Sequence, residues 1–176
     1  IPCFDLINSV SEMVRERIIG VLATPTTVRS EYYIKALSLK KENLKIFQQE
    51  CPEFVSEIEK NKLNLKKINV LSDSYLSPLL KNNIQELILG CSHYPLIYEV
   101  LRNKIDPNVN IIDPSEALTK KFNEYFSIPI KRGFKSFSYE DVEFFVTGKN
   151  EEFSYKVKYW LEINKEIRLV NLRSND

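Results

Sequence analysis

Short unbroken apolar runs alternate along the chain with stretches in which apolar residues recur every three or four positions. The runs are "RIIGVLAT" (17–24), "LKIFQ" (44–48), "ELILGC" (86–91) and "NVNII" (108–112). Solid runs of this length suit strands of a parallel sheet, which are covered on both faces. Helical spacing precedes the first run, over 6–14, with Asp5 or Asn8 as caps. It returns after each of the others. Tyr33, Ala36 and Leu37 share one helix face behind the threonine-rich loop 24–27, and "CPEFVSEIEKN" (51–61) leads into a helix. "SDSYLSPLLKN" (72–82) starts another, with Pro78 in its first turns or breaking it. "HYPLIYEVLRNKI" (93–105) and "PSEALTKKFNEYF" (114–126) follow. Strand followed by helix, at least four times, predicts an α/β fold with a parallel, doubly wound sheet. The pattern changes after Phe126: a polar linker, a strand (142–147), a helix (151–161) and a terminal strand (167–172) read as parts of a second sheet. The boundary is expected near 116–120. The opening "IPCFDLI" reads as the end of a strand running into a helix, as in a chain that starts in mid-protein.

Composition narrows the function. Of 176 residues, 43% are apolar and 28% charged, which suits one ordinary core and excludes a disordered chain. Lysine plus arginine (25) balance aspartate plus glutamate (24), so no global field recruits nucleic acid or an anionic membrane. A small-molecule ligand is the default. Apolar stretches such as 84–90 fall far short of the roughly 20 residues a bilayer span needs, and the expected location is cytoplasmic. Cys3, Cys51 and Cys91 are odd in number and widely spaced, as reduced thiols are.

Ligands of open parallel sheets bind beyond the carboxyl ends of the strands. Four loops qualify: Thr24 to Thr27, Cys51 to Glu59, Cys91 to His93 and Asp113 to Ser115. Cys91 ends a buried run just before a helix, where the dipole favours a thiolate able to act as nucleophile or base. The plainer alternative is a small buried hydrophobe. His93, the only histidine, lies two residues on and reads alone as a satisfied structural ring. A zinc site is not expected: the pair supplies two ligands and no Cys-x-x-Cys completes a set. Thr24, Thr27 and Ser30 offer hydroxyls for a carboxylate or phosphate, or simply cap a turn. Glu59 follows Ser56 by three residues, as in a capping box. Lys60 to Lys67 read as a solvated face.

These segments together resemble a family. "GCSHYPL" is similar to the "GC(T/S)HYPL" signature of glutamate racemases, "VLATPTTVRSEYYIKAL" to their "GTxxTxxSxxY", and "CPEFVSEIE" to "CPxFVxxxE". "IIDPSEAL" and "FFVTGKNEEF" resemble the later "IDxxxA" and "FxxTGxxxxF" stretches, in family order. The resemblance implies racemisation of glutamate for peptidoglycan by two cysteines on opposite faces of Cα, without cofactor or metal. It implies that Cys91 is one of these thiols and that His93 assists it. Ser92, Thr24 and Thr27 match substrate-binding positions, and Glu59 the acidic residue near the site. Small-molecule glutamate is the implied partner, with no nucleic acid or membrane, and a homodimer is admitted.

The departures have consequences. "DSGxGG" and the "CNT" segment with the other cysteine do not occur, and Ala23 stands where the family usually has glycine. The expectation is a chain short by about a third, inactive alone, with residues 1–16 the tail of an incomplete first domain and linker. Residues 17–116 would form a complete flavodoxin-like domain carrying Cys91, and 117–176 would return to the first domain. The alternatives are an aspartate racemase, against which His93 argues because that branch usually has glutamate there, and a non-catalytic remnant.

Overall fold

A computed structural model describes residues 3–125 and 142–172. The chain divides into two compact units, Ile1–Pro129 and Ile130–Asp176. The first is built on four strands, β1 (Ile18–Ala23), β2 (Lys45–Glu50), β3 (Glu86–Gly90) and β4 (Asn110–Ile112), in the order β2-β1-β3-β4. All its pairings are parallel, as the solid apolar runs predict. The two faces of β1 explain its composition. Ile19, Val21 and Ala23 join Ile88 and Ile112 in a cluster with Ile7 and Val10 of α1 (Cys3–Met13) and Tyr33 and Leu37 of α3 (Tyr32–Ser38). Gly20 points the other way, where a Cβ would stand 2.7 Å from Ile84 Cδ1 and 3.3 Å from Leu79 Cδ1 of α5 (Leu65–Leu80). Helices thus cover both faces.

The helix boundaries depart from the periodicity in instructive places. Asp5 and Asn8 fall inside α1 instead of capping it. Helix α5 starts at Leu65, not Ser72, because Asn64 caps it with a side chain that accepts from Lys67 N at 3.1 Å. Pro78 sits near its end; it and Ser74, whose carbonyl it cannot bond, are both exposed. The stretch 93–105 is not one helix but a 3-10 turn, Tyr94–Ile97, followed by α6 (Tyr98–Arg102), with the break at Ile97 (φ −114°, ψ 22°). Helix α7 (Pro114–Tyr125), by contrast, follows the spacing read over 114–126.

The polar connections are fastened by side chains. Between α1 and β1, the Glu86 carboxylate, 1% exposed, accepts from Arg15 N at 3.0 Å and Glu16 N at 3.2 Å. Lys41 Nζ donates to Val14 O, and Ile18 N donates to Gln85 Oε1 at 3.2 Å. Backbone groups that lack a ladder partner find side-chain partners in this way.

The lysine stretch is not merely a solvated face. Glu57 of α4 (Phe54–Ile58), only 3% exposed, accepts from Lys60 Nζ and Lys67 Nζ, each at 2.7 Å. The hydrogen bonds from Lys60, then Lys67, hold its carboxyl below the usual carboxylate range. A lowered folded-state pKa gives stability that is complete above the unfolded value of about 4.3 and is lost as pH falls through the folded one. Glu57→Gln should therefore flatten the acid limb of a stability-against-pH curve measured by urea unfolding. An unchanged slope below about pH 4.3 would remove this linkage.

The second unit contains β5 (Phe144–Val146) and β6 (Ile167–Leu169), paired in parallel, with α8 (Asn150–Leu161) between them in sequence. Val157 and Ile167 are buried, and the Phe144 and Phe153 rings lie 6.3 Å apart. The linker expected over 127–141 lies outside the described residues. Among the described residues, no helix is long and apolar enough to cross a membrane.

Candidate active site

From β1 the chain crosses to β2 on one side and then to β3 on the other, which opens a crevice at the carboxyl ends of β1 and β3. Ala23 is level with Glu50 and with Gly90. Cys51, Thr24 and Cys91 therefore leave three adjacent strands at one height, about 4.8 Å apart from strand to strand. Sequence places these residues more than sixty positions apart at the extremes. Topology brings them together.

Thr24 caps the short helix α2 (Pro25–Arg29), its Oγ1 accepting from Thr27 N at 3.4 Å. The two threonine hydroxyls are 3.0 Å apart, and Ser30 Oγ donates to Thr27 O at 2.7 Å. The plain capping role is thus real, and it leaves two half-buried hydroxyls side by side.

Beyond β3 the chain turns tightly, with Tyr94 N donating to Cys91 O at 3.1 Å. Cys91 Sγ lies 3.8 Å from His93 Nδ1, and His93 Nε2 lies 2.6 Å from Glu59 Oε1. A carboxylate can only accept, so this contact holds a proton on Nε2 and presents Nδ1 to the thiol. Glu59 caps the end of α4 and does not take part in a box at its start. Ser56 lies within α4 and donates instead to Glu53 O at 3.0 Å.

The thiol differs from expectation. Burial pushes the Cys91 pKa up, and the backbone N–H of His93 only partly opposes it. The element that follows is a four-residue 3-10 turn, whose dipole is too short to hold a thiolate against desolvation. Cys91 rests as a thiol, and His93 is the group placed to take its proton. Cys51 is a different case. It is 1% exposed, its Sγ donates to Gln49 O at 3.5 Å, and burial pushes its thiol to about 12.

A cavity of about 190 Å³ adjoins Cys91, with Ser92, Tyr33, Asp113, Ser115 and Leu118 among its walls. Asp113 accepts from Ser115 N at 2.8 Å and from Ser115 Oγ at 2.7 Å, closing the first turn of α7 at the rim. The periodicity identified Tyr33 as a core residue only. Its place three residues after Ser30, in the segment that begins at Thr24, is the one hint that it reaches the site.

No family model matches the chain. It is 42% identical over 173 residues to a glutamate racemase of Prochlorococcus marinus (strain NATL1A), covering 98% of this chain and 65% of that protein. It is 32% identical over 170 residues to a glutamate racemase of Synechococcus sp. (strain CC9605), covering 96% and 64%. The chain thus spans about two thirds of the length of these relatives. Among solved structures, the glutamate racemase of Francisella tularensis in complex with D-glutamate matches with a TM-score of 0.77 at 29% identity, over 96% of this chain and 64% of that one. A glutamate racemase from Bacillus anthracis matches with a TM-score of 0.76 at 25% identity, over 96% and 63%. The parallel α/β sheet, the thiol at its switch point and these likenesses agree: the chain belongs to the glutamate racemase family.

Proposed function

We propose that this chain supplies one of the two acid–base half-sites of a cofactor-independent glutamate racemase, which interconverts L- and D-glutamate for peptidoglycan synthesis in the cytoplasm. The observation that carries the reading is the relay Cys91 Sγ, His93 Nδ1, His93 Nε2, Glu59 Oε1 at the end of β3. As a thiol, Cys91 delivers its proton to a carbanion-like Cα on one face. In the reverse direction, His93 takes the thiol proton, the resulting imidazolium on Glu59 stabilises the thiolate, and the sulfur removes the Cα proton. Thr24, Thr27 and Ser92 supply hydroxyls and loop amides to the substrate carboxylates, and Glu59 acts through His93. Without an electron sink, rate depends on donors fixed in a water-poor site. The second thiol acts on the opposite face of Cα. Cys51 is unsuited to that part, since its sulfur is buried and its thiol hard to ionise.

The family likeness, His93 and the D-glutamate complex of a structural relative favour glutamate over aspartate as substrate. A homodimer is compatible with this reading. The test is to incubate the protein that carries this chain with L-glutamate and, separately, L-aspartate in D2O. D-glutamate labelled at Cα is expected from the first, and nothing from the second. Labelled D-aspartate with unlabelled glutamate would replace this reading with the aspartate branch.

A further inference from the structure

We propose that the buried aromatic ladder Tyr75, Phe54, Tyr94 is the positioning device that holds Glu59 against His93, and so decides which imidazole nitrogen carries the proton. The inference rests on the proton-relay reading given above. The two groups it aligns come from separate places: Glu59 from the end of α4, and His93 from the turn after β3. A helix of five residues has almost no intrinsic stability, so contacts with the rest of the fold must set where it lies. The ladder supplies those contacts. Phe54, the first residue of α4, packs edge-on against Tyr75 of α5 (centroids 5.0 Å, planes at 90°) and against Tyr94 (5.3 Å, 75°). Phe54 and Tyr94 are fully buried.

Each end of the ladder is also fastened to backbone. Tyr75 Oη accepts from Glu53 N at 3.4 Å, at the start of α4. Tyr94 Oη donates to Cys51 O at 3.5 Å, at the end of β2. Tyr94 directly follows His93, and its N–H closes the turn onto Cys91 O. One rigid ring thus bears on α4 from the His93 turn, and a second bears on it from α5. Aromatic pairs of this geometry contribute more than their buried area and resist sliding. A hydrogen bond as short as 2.6 Å between Glu59 and His93 tolerates little drift of either partner.

The chain's single histidine makes the test direct. Long-range 1H–15N correlation spectra at a pH where the ring is neutral report which nitrogen carries the proton, with no assignment ambiguity and no need for activity. The unaltered chain should show Nε2 protonated by at least about ten to one, as a charge-assisted bond on that nitrogen demands. Glu59→Ala should bring the two forms to within about threefold of each other. Phe54→Leu, with Glu59 intact, should do the same, and Phe54→Met carries the same reading if Phe54→Leu does not fold. If the folded Phe54 variants keep the ten-to-one signature while Glu59→Ala loses it, the ladder is only core and the proposal fails. If Glu59→Ala also keeps it, the relay itself is wrong, a separate failure.

Discussion

In the protein that carries this chain, the proposed half-site predicts that replacing Cys91 with alanine lowers glutamate racemisation about 10³- to 10⁴-fold, the upper part of the range for a group that carries the transferred proton. The loss should appear in kcat, with KM for glutamate changed little, because the thiol contributes to the transition state and not to ground-state binding. Cys91 is half-exposed at the end of β3 and contributes little to the core, so the thermal midpoint should hold within a few degrees. Cys91→Ser should fare almost as badly. A hydroxyl keeps the shape, but its proton is far harder to remove, and His93 cannot make up the difference. The check is polarimetric turnover in both directions together with Cα–deuterium exchange. Near-normal exchange by Cys91→Ala would remove Cys91 from the chemistry and with it the proposed half-site.

The second large effect is structural. Gly90→Ala should destabilise the fold and shift the turn that carries Cys91 and His93. A Cβ at Gly90 would stand 2.8 Å from Leu22 O, 3.0 Å from Ala23 Cβ and 3.0 Å from Tyr33 Cε2. None of these can step aside easily: the first is backbone of the central strand, and Ala23 and Tyr33 are buried. The β1–β3 pairing must spread or Tyr33 must leave the cavity wall, a cost of about 1–3 kcal/mol by the experience of overpacked cores. For a chain of this size that lowers the midpoint by about 2–12 °C. Gly148→Ala is the internal control, since a Cβ there meets nothing within 4 Å. It should change stability by no more than about 0.5 kcal/mol. Equal melting of the two variants would show that Gly90 is not a packing constraint. In this chain alanine already occupies position 23, so the space above Gly90 is smaller than glycine at both positions would leave.

Much of this was legible in the sequence, and the limits have physical reasons. The strands could be read because a residue covered on both faces must be apolar at every position, as in Ile19 to Ala23. The strand ends then led to Cys91, His93 and Thr24 without any coordinates. Short elements were harder to read. Helix α4 and the 3-10 turn are too short for periodicity, and their placement depends on Phe54 and Tyr94 meeting across the fold. Glu59 illustrates the cost: local spacing suggests a capping box with Ser56, whereas the side chain reaches His93, 34 residues away. Lys60 and Lys67 are similar, since nothing local reveals that Glu57 is buried and needs both. The state of the Cys91 thiol also could not be read. It depends on desolvation, a property of the whole neighbourhood rather than of the strand-end motif.

The strand order has a consequence for how the chain reaches this structure. β1 can pair with β2 after closing a loop of modest length, whereas its pairing with β3, from Ile19 to Glu86, spans about half of the first unit. Loop-closure entropy penalises the second pairing more and delays it. The contact of Glu86 with Arg15 and Glu16, across 71 and 70 residues, must wait for the same event at the opposite end of the sheet. The crevice between Thr24 and Cys91 therefore comes into being only after the longer of the two β1 pairings has closed. A partly folded chain can hold β1 and β2 in native register and still have no site.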